Sequence, residues 1–187
     1  MDSIREQELL KYRKIWERDE YRIVSPGDDC FDQAFECLAV KAGDTLYDFG
    51  AGTARATKKF IDRGVLAVGL DLADNANEFP EVPYKTCCLW DLPDDIKPVR
   101  FGFCCDVMEH IPVDMVGKVL NNIANKVLDR CFFKIACFPD RSGKLIGETL
   151  HLSVFDPYVW AFKLNAYFKC RIISVSGHYL TAICEKR

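Results

Sequence analysis

From residue 45 onward, runs that read as strands alternate with stretches that read as helices, and that order constrains the fold more than any other feature of the chain. "TLYDF" (45–49) reads as a first strand, and "ARATKKFIDRG" as a helix ending at Gly64. "VLAVGLDL" (65–72) is apolar up to its acid, the pattern of a strand covered on both faces. "YKTCCLW" (84–90) and "RFGFCCDV" (100–107) are the next two candidates. Val113, Val116, Leu120, Ile123 and Val127 recur at steps of three and four, which predicts an amphipathic helix over 113–128. "RCFFKIACF" reads as a fifth strand, "PYVWAFKLNAYF" as a last helix, and "KCRIISVS" with "YLTAICEK" as a terminal pair joined near Gly177-His178. The implied architecture is α/β: a doubly wound, mostly parallel seven-stranded sheet with right-handed crossovers. The closing pair leaves no room for a crossover helix, so it should add an antiparallel strand at one edge. Upstream, Ile4, Leu9, Tyr12, Ile15 and Trp16 form a loose helical pattern over 3–20. "SPGDDC" then breaks the chain, with Asp28 or Asp29 able to cap a second helix to about Val40.

Composition excludes several classes of function. The net charge is −3 and no lysine or arginine block stands out, a balance that argues weakly against duplex binding and leaves room only for a local basic groove, so a nucleic-acid partner is not expected. The charged opening "MDSIREQELLKYRK" does not read as a secretory leader, and no apolar run reaches the ~20 residues of a membrane span. The ten cysteines occur singly or as adjacent pairs, with no C-x-x-C. They are read as buried free thiols in a reducing compartment, the cytoplasm of the cell or of a host.

The chemistry is concentrated in "LYDFGAGTARATKKF" (46–60). Gly50 and Gly52, on either side of Ala51 after the first strand, offer bare backbone for a tight turn and a close ligand. A dinucleotide fingerprint would need glycine at position 55, which is arginine. Asp48 is also out of place beside a diphosphate; an acid there suits a ligand with a positive end, such as an amino-acid ammonium. Asp71, nineteen residues beyond Gly52, ends the second strand and is placed to accept both hydroxyls of a ribose. Ammonium and ribose on one ligand point to S-adenosylmethionine.

Four segments in order, "LYDFGAGTA", "VGLDLA", "CLWDLP" and "FGFCCDVMEHIP", resemble the class I S-adenosylmethionine-dependent methyltransferases over most of the chain. Ala54 stands where the family pattern has its third glycine. The resemblance implies that Asp48, Gly50, Ala51 and Gly52 cradle the methionine part, Asp71 and Leu72 the ribose side, Trp90 and Asp91 the adenine, and that Asp106 closes the methionine side. It divides the chain into N-terminal cap helices (1–40), whose Tyr12 and Trp16 close over the cofactor with Tyr21 and Arg22, and a catalytic domain (41–187). "DVMEH" is similar to ubiquinone-pathway-like O-methyltransferases, in which an acid-x-x-E-H arrangement binds a divalent cation, here Asp106, Glu109 and His110; Asp106 replaces the more usual glutamate. "GETLHLSVFDPYVW" resembles a segment of small-molecule and bacteriophage-associated relatives and would put His151 on the substrate side, opposite His110.

Plainer readings stand beside these. The glycines also serve a turn, Asp71 a helix cap, Trp90 the core, and Glu109, His110 and His151 ordinary structural hydrogen bonds. The expected function is methyl transfer to a small-molecule or carrier-bound acceptor, most simply at oxygen, with Glu109, His110 and His151 as the catalytic candidates. Nucleic-acid or protein methylation, and a catalytically idle cofactor-binding protein, are the alternatives. Neither the acceptor nor the oligomeric state is written in the sequence.

Overall fold

A computed structural model of the chain describes residues 2–24, 26–176 and 178–187. Seven strands form one sheet in the order β3-β2-β1-β4-β5-β7-β6, with β1 Thr45–Phe49, β2 Leu66–Asp71, β3 Tyr84–Thr86, β4 Val99–Cys105, β5 Val127–Ala136, β6 Phe168–Ser176 and β7 Tyr179–Lys186. The first five strands pair in parallel, and β7 inserts antiparallel between β5 and the edge strand β6. The sheet is thus mostly parallel with an antiparallel edge pair, as the strand spacing implies. The turn expected at Gly177-His178 falls, at Gly177, outside the described residues, as does Ser25 of the expected break.

Side-chain alternation explains the continuous apolar runs. Phe103 and Phe132 enter one core with Phe31, Leu38 and Phe60, while their neighbours Cys104 and Phe133 enter the opposite core with Leu120, Ile123, Trp160 and Leu164. Helices α4 (Phe31–Leu38) and α5 (Arg55–Asp62) therefore cover one face, and α6 (Val116–Lys126) and α7 (Pro157–Asn165) the other. Asp156 caps α7 by accepting the Tyr158 N–H at 2.8 Å, a contact worth ~1 kcal/mol to a helix.

Several boundaries differ from the sequence pattern. The expected N-terminal helix divides into α1 (Asp2–Trp16) and a single turn, α2 (Asp19–Arg22); the second divides into α3 (Pro26–Asp29) and α4. Neither Asp28 nor Asp29 caps α4, whose N-cap is Cys30 with no side-chain bond; Asp28 pairs with Lys59 instead. The third strand stops at Thr86 because Cys87, Cys88, Leu89 and Trp90 turn into the core. The helix expected from Val113 begins at Val116, after a short 3-10 turn. Cys170 and Cys184, opposite each other on β6 and β7, form a disulfide, which corrects the reading of all ten cysteines as free thiols. No described helix is long and apolar enough to cross a membrane.

Helix α1 spans two loops above the sheet. Arg13 grips Asp74, after β2, through two hydrogen bonds of 2.8 and 2.7 Å. Lys11 and Lys14 reach the carbonyls of Thr149 and Ile146 on the segment after β5.

Candidate functional site

The carboxyl ends of β1, β2 and β4 meet where the strand order reverses direction, the position at which open parallel sheets bind ligands. At the end of β1, Gly50 takes φ +77° and Gly52 φ +50°. A Cβ on Gly50 would sit 2.4 Å from Val107 Cγ2, and one on Gly52 3.0 Å from the Trp16 ring. Both glycines are needed for conformation and for closeness. Ala54 also lies in the left-handed region (φ +63°), so it occupies the third glycine position with that glycine's backbone, at some strain.

Three acids surround this turn. Asp48 is 3% exposed and accepts the Thr57 hydroxyl at 2.6 Å; burial pushes its carboxyl up to about 7. Asp71 accepts the Gly52 N–H through Oδ2 and the Ala73 N–H through Oδ1, both at 2.9 Å, and burial raises its pKa as well. Asp106, beyond β4, holds φ +51°, the left-handed region that few non-glycine residues adopt, aspartate more readily than most. Its carboxylate takes the Cys105 thiol at 3.2 Å and lies 3.9 Å from Lys134 Nζ.

Two cavities open here, with about 620 and 990 Å³ of empty space, sharing Trp16, Tyr21, Gly50, Asp106 and His110. The first is lined by Tyr12, Asp71, Leu72, Leu89, Trp90 and Val107; the second by Asp48, Ala51, Gly52, Phe138, Arg141 and His151, among others. Asp91 lines neither: it is exposed and lies 3.6 Å from Arg5. Glu109 does not line them either, being fully buried beneath, where its Oε1 accepts the Ala136 N–H at 3.0 Å and its Oε2 has no hydrogen-bond partner among the described residues. Its carboxyl is raised by burial and by Asp106.

The expected helical turn through "MEH" is a 3-10 turn, Met108–His110. His110 and His151 face each other edge to face with ring centroids 4.7 Å apart. His110 Nδ1 is 2.8 Å from the Tyr12 hydroxyl, and burial, aided by His151, lowers its pKa to about 3, so it is neutral at physiological pH. His151 Nδ1 is 2.7 Å from the Phe138 carbonyl. Atoms of Glu109, His110 and His151 lie within 4.8 Å of one another, a set that includes His151 and omits Asp106, unlike the set the acid-x-x-E-H pattern suggests.

The sequence reading missed Thr57, Phe138 and Asp140. Thr57 has no local signal. Asp140 has one: "PDRSG" is turn chemistry, and its carboxylate accepts the N–H groups of Ser142, Gly143 and Leu150, which folds the loop that carries Arg141.

No family model and no curated protein matches this chain. Solved structures do match. The DhpI–SAM–HEP complex aligns with a TM-score of 0.71 at 17% identity, over 96% of each chain. The 1,6-didemethyltoxoflavin-N1-methyltransferase of Burkholderia thailandensis, with its substrate and S-adenosylhomocysteine bound, aligns at 0.66 and 18%, over 98% of this chain and 87% of that one. Magnesium protoporphyrin IX methyltransferase of Synechocystis PCC 6803, with bound SAM, aligns at 0.63 and 14%, over 86% and 79%. At these identities the likeness shows the fold alone, the one shared with these solved structures.

Proposed function

We propose that the chain is an S-adenosylmethionine-dependent methyltransferase acting on a hydroxyl of a small molecule. One observation carries this: Asp48, Asp71 and Asp106 converge from three adjacent strand ends on the Gly50–Gly52 backbone, with His151 across the cavity. The residues fit the cofactor. The glycine turn is a cradle that a Cβ would fill, and Asp48 is a buried acid whose charge a ligand ammonium would favour. Asp71 keeps lone pairs for a ribose, and Leu89 and Trp90 offer apolar surface for an adenine. Within residues 1–40, helix α1 acts as a cover for the catalytic unit 41–187, with Tyr12 and Trp16 excluding water, while α4 packs on the sheet itself.

S-adenosylmethionine supplies an electrophilic methyl on a sulfonium whose thioether leaves neutral. The chain therefore has to align the acceptor and take the hydroxyl proton as the new O–C bond forms. His151 is the base. The Phe138 carbonyl can only accept, so Nδ1 carries the proton and Nε2 keeps its lone pair. His110 is a neutral wall of the chamber, and Asp106 holds the floor.

The residues do not fit the divalent cation that the acid-x-x-E-H resemblance suggests. Glu109 Oε2 has no hydrogen-bond partner among the described residues, but Asp106 is engaged by Cys105 and Lys134, and His110 Nδ1 by Tyr12. The test is calorimetry with S-adenosylhomocysteine, followed by transfer of a labelled methyl to extracted small molecules and location of the label by mass spectrometry. Absence of binding overturns the reading; label on nitrogen overturns the choice of oxygen.

A further inference from the structure

Two cysteines from distant parts of the chain meet at the wall of the second cavity. Cys30 stands between α3 and α4, and Cys105 ends β4. Their Sγ atoms are 3.1 Å apart. Among the described free cysteines no other pair of sulfurs lies within hydrogen-bond range. A disulfide needs its sulfurs ~2 Å apart, so closure asks for an approach of only about 1 Å. The residues are 7% and 8% exposed, yet Cys105 lines the second cavity, as does Gly27 of α3. A small oxidant in that cavity therefore reaches one member of the pair, and the other stands directly behind it.

We propose that Cys30 and Cys105 form an oxidative modification site: a small peroxide converts the pair to a disulfide, and the disulfide weakens the hold of the cavity on its cofactor. The second half rests on the S-adenosylmethionine reading of the site; the first does not. The peroxide transfers one oxygen to the Cys105 sulfur, giving a sulfenic acid and one water. The Cys30 sulfur then attacks, the S–S bond forms, and the sulfenic hydroxyl leaves with the Cys30 proton as a second water. Both sulfurs are oxidised and the peroxide is reduced. Burial pushes the Cys105 thiol up, with Cys30 and Asp106 adding to the rise and Lys134 opposing it, so the first step is slow near neutral pH. Selectivity comes from Cys30, which captures the sulfenic acid before it oxidises further.

The link to the cavity runs through Asp106. The Cys105 thiol donates to Asp106 Oδ2 at 3.2 Å, and a disulfide has no proton to donate. An aspartate that loses a donor holds its negative charge less firmly, so a cationic ligand beside it is bound less well. Closure also draws the junction of α3 and α4 toward β4, and with it the turn at Gly27.

The test treats the native full chain with a small excess of hydrogen peroxide and maps its peptides by mass spectrometry without reduction. The expected product joins the peptides of Cys30 and Cys105, leaves Cys170–Cys184 as it was, and is reopened by dithiothreitol. In Cys30→Ser the capture is lost, so dimedone should label a sulfenic acid at Cys105 that it does not find in the native chain. S-adenosylhomocysteine, titrated by calorimetry, should bind the oxidised native chain about fivefold more weakly than the untreated one, the worth of one hydrogen bond. Oxidation that spreads over other thiols without joining Cys30 to Cys105 would overturn the site. Equal affinity before and after complete cross-linking would overturn its link to the cavity. If Cys30→Ser does not melt cooperatively, the native peptide map still decides. Failure of S-adenosylhomocysteine to bind the untreated chain is a separate result: it removes the methyltransferase reading, while the map answers for the cysteine pair.

Discussion

The side of this cavity proposed for the cofactor and the side proposed for the acceptor are built by different means. On the cofactor side, Asp48, Gly50, Gly52 and Asp71 lie within one β-α-β unit, and backbone conformation does much of the work: positive φ at two glycines, and an aspartate that pins the turn through N–H groups. On the acceptor side, Tyr12, His110, Phe138 and His151 come from four separate places in the chain and meet through long-range contacts, Tyr12 and His151 on the His110 ring and His151 on the Phe138 carbonyl. The first arrangement tolerates change in most flanking side chains but none in its glycines. The second depends on where helix α1 and the loop after β5 happen to pack.

The largest effect should fall on the acceptor side. His151→Ala removes the open nitrogen, and turnover should fall by about 10²–10⁴-fold, the usual contribution of a general base. His110→Ala should cost less and act through packing. Equal losses in the two variants, measured as initial rates at saturating cofactor, would erase the distinction between base and wall.

Next comes the glycine turn. Gly52→Val adds bulk where a Cβ already meets Trp16 at 3.0 Å, in a left-handed conformation that β-branched residues resist. S-adenosylhomocysteine affinity should drop by at least about 100-fold, close to 3 kcal/mol, with a change in tryptophan fluorescence as Trp16 moves. Retained binding would mean that the glycines serve the turn alone.

Asp71 tests the same side at one atom pair. Asp71→Ala should weaken S-adenosylhomocysteine binding by roughly 2–3 kcal/mol, the loss of two hydrogen bonds to a charged group. Asp71→Asn should lose less because it keeps one acceptor. Unchanged affinity in a folded variant would leave Asp71 as a turn-pinning residue only.

This contrast also governs how much was legible in the sequence. The sheet and its edge pair follow from periodicity, and Asp48 and Asp71 from short-range spacing, because one β-α-β unit carries its own geometry; Asp106 was singled out by resemblance. The break at Arg18, the early end of β3 at Thr86 and the true start of α6 were not legible: each is decided by packing, as when Leu89 and Trp90 leave the strand to fill the core. His110 and His151 could be singled out, but their difference could not. It depends on Tyr12, 98 residues from His110, and on a carbonyl 13 residues from His151. Asp91 was placed on the adenine by resemblance and instead stands outside both cavities beside Arg5, since the turn after Trp90 carries it outward.

The smallest effect is a pH dependence on the cofactor side. Burial raises the Asp48 carboxyl to about 7 in the free protein, far above its ordinary value of 3.8. A carboxyl whose folded value lies above its unfolded one stabilises the fold in its protonated form. That contribution is complete below about pH 4 and is lost as pH rises toward 7, so the ligand-free chain should melt at a lower temperature at pH 7.5 than at pH 5 if this group dominates. Binding has the opposite sign. A ligand ammonium requires the carboxylate, so binding at pH 6 must expel the Asp48 proton, and affinity should rise about tenfold between pH 6 and 7.5. Calorimetry in two buffers of different ionisation heat counts the released proton directly. The Asp48→Asn variant should release none and show a flat profile. A native chain that binds S-adenosylhomocysteine with no proton release at pH 6 would place the ammonium elsewhere, with Asp106 the remaining acid on that side of the turn.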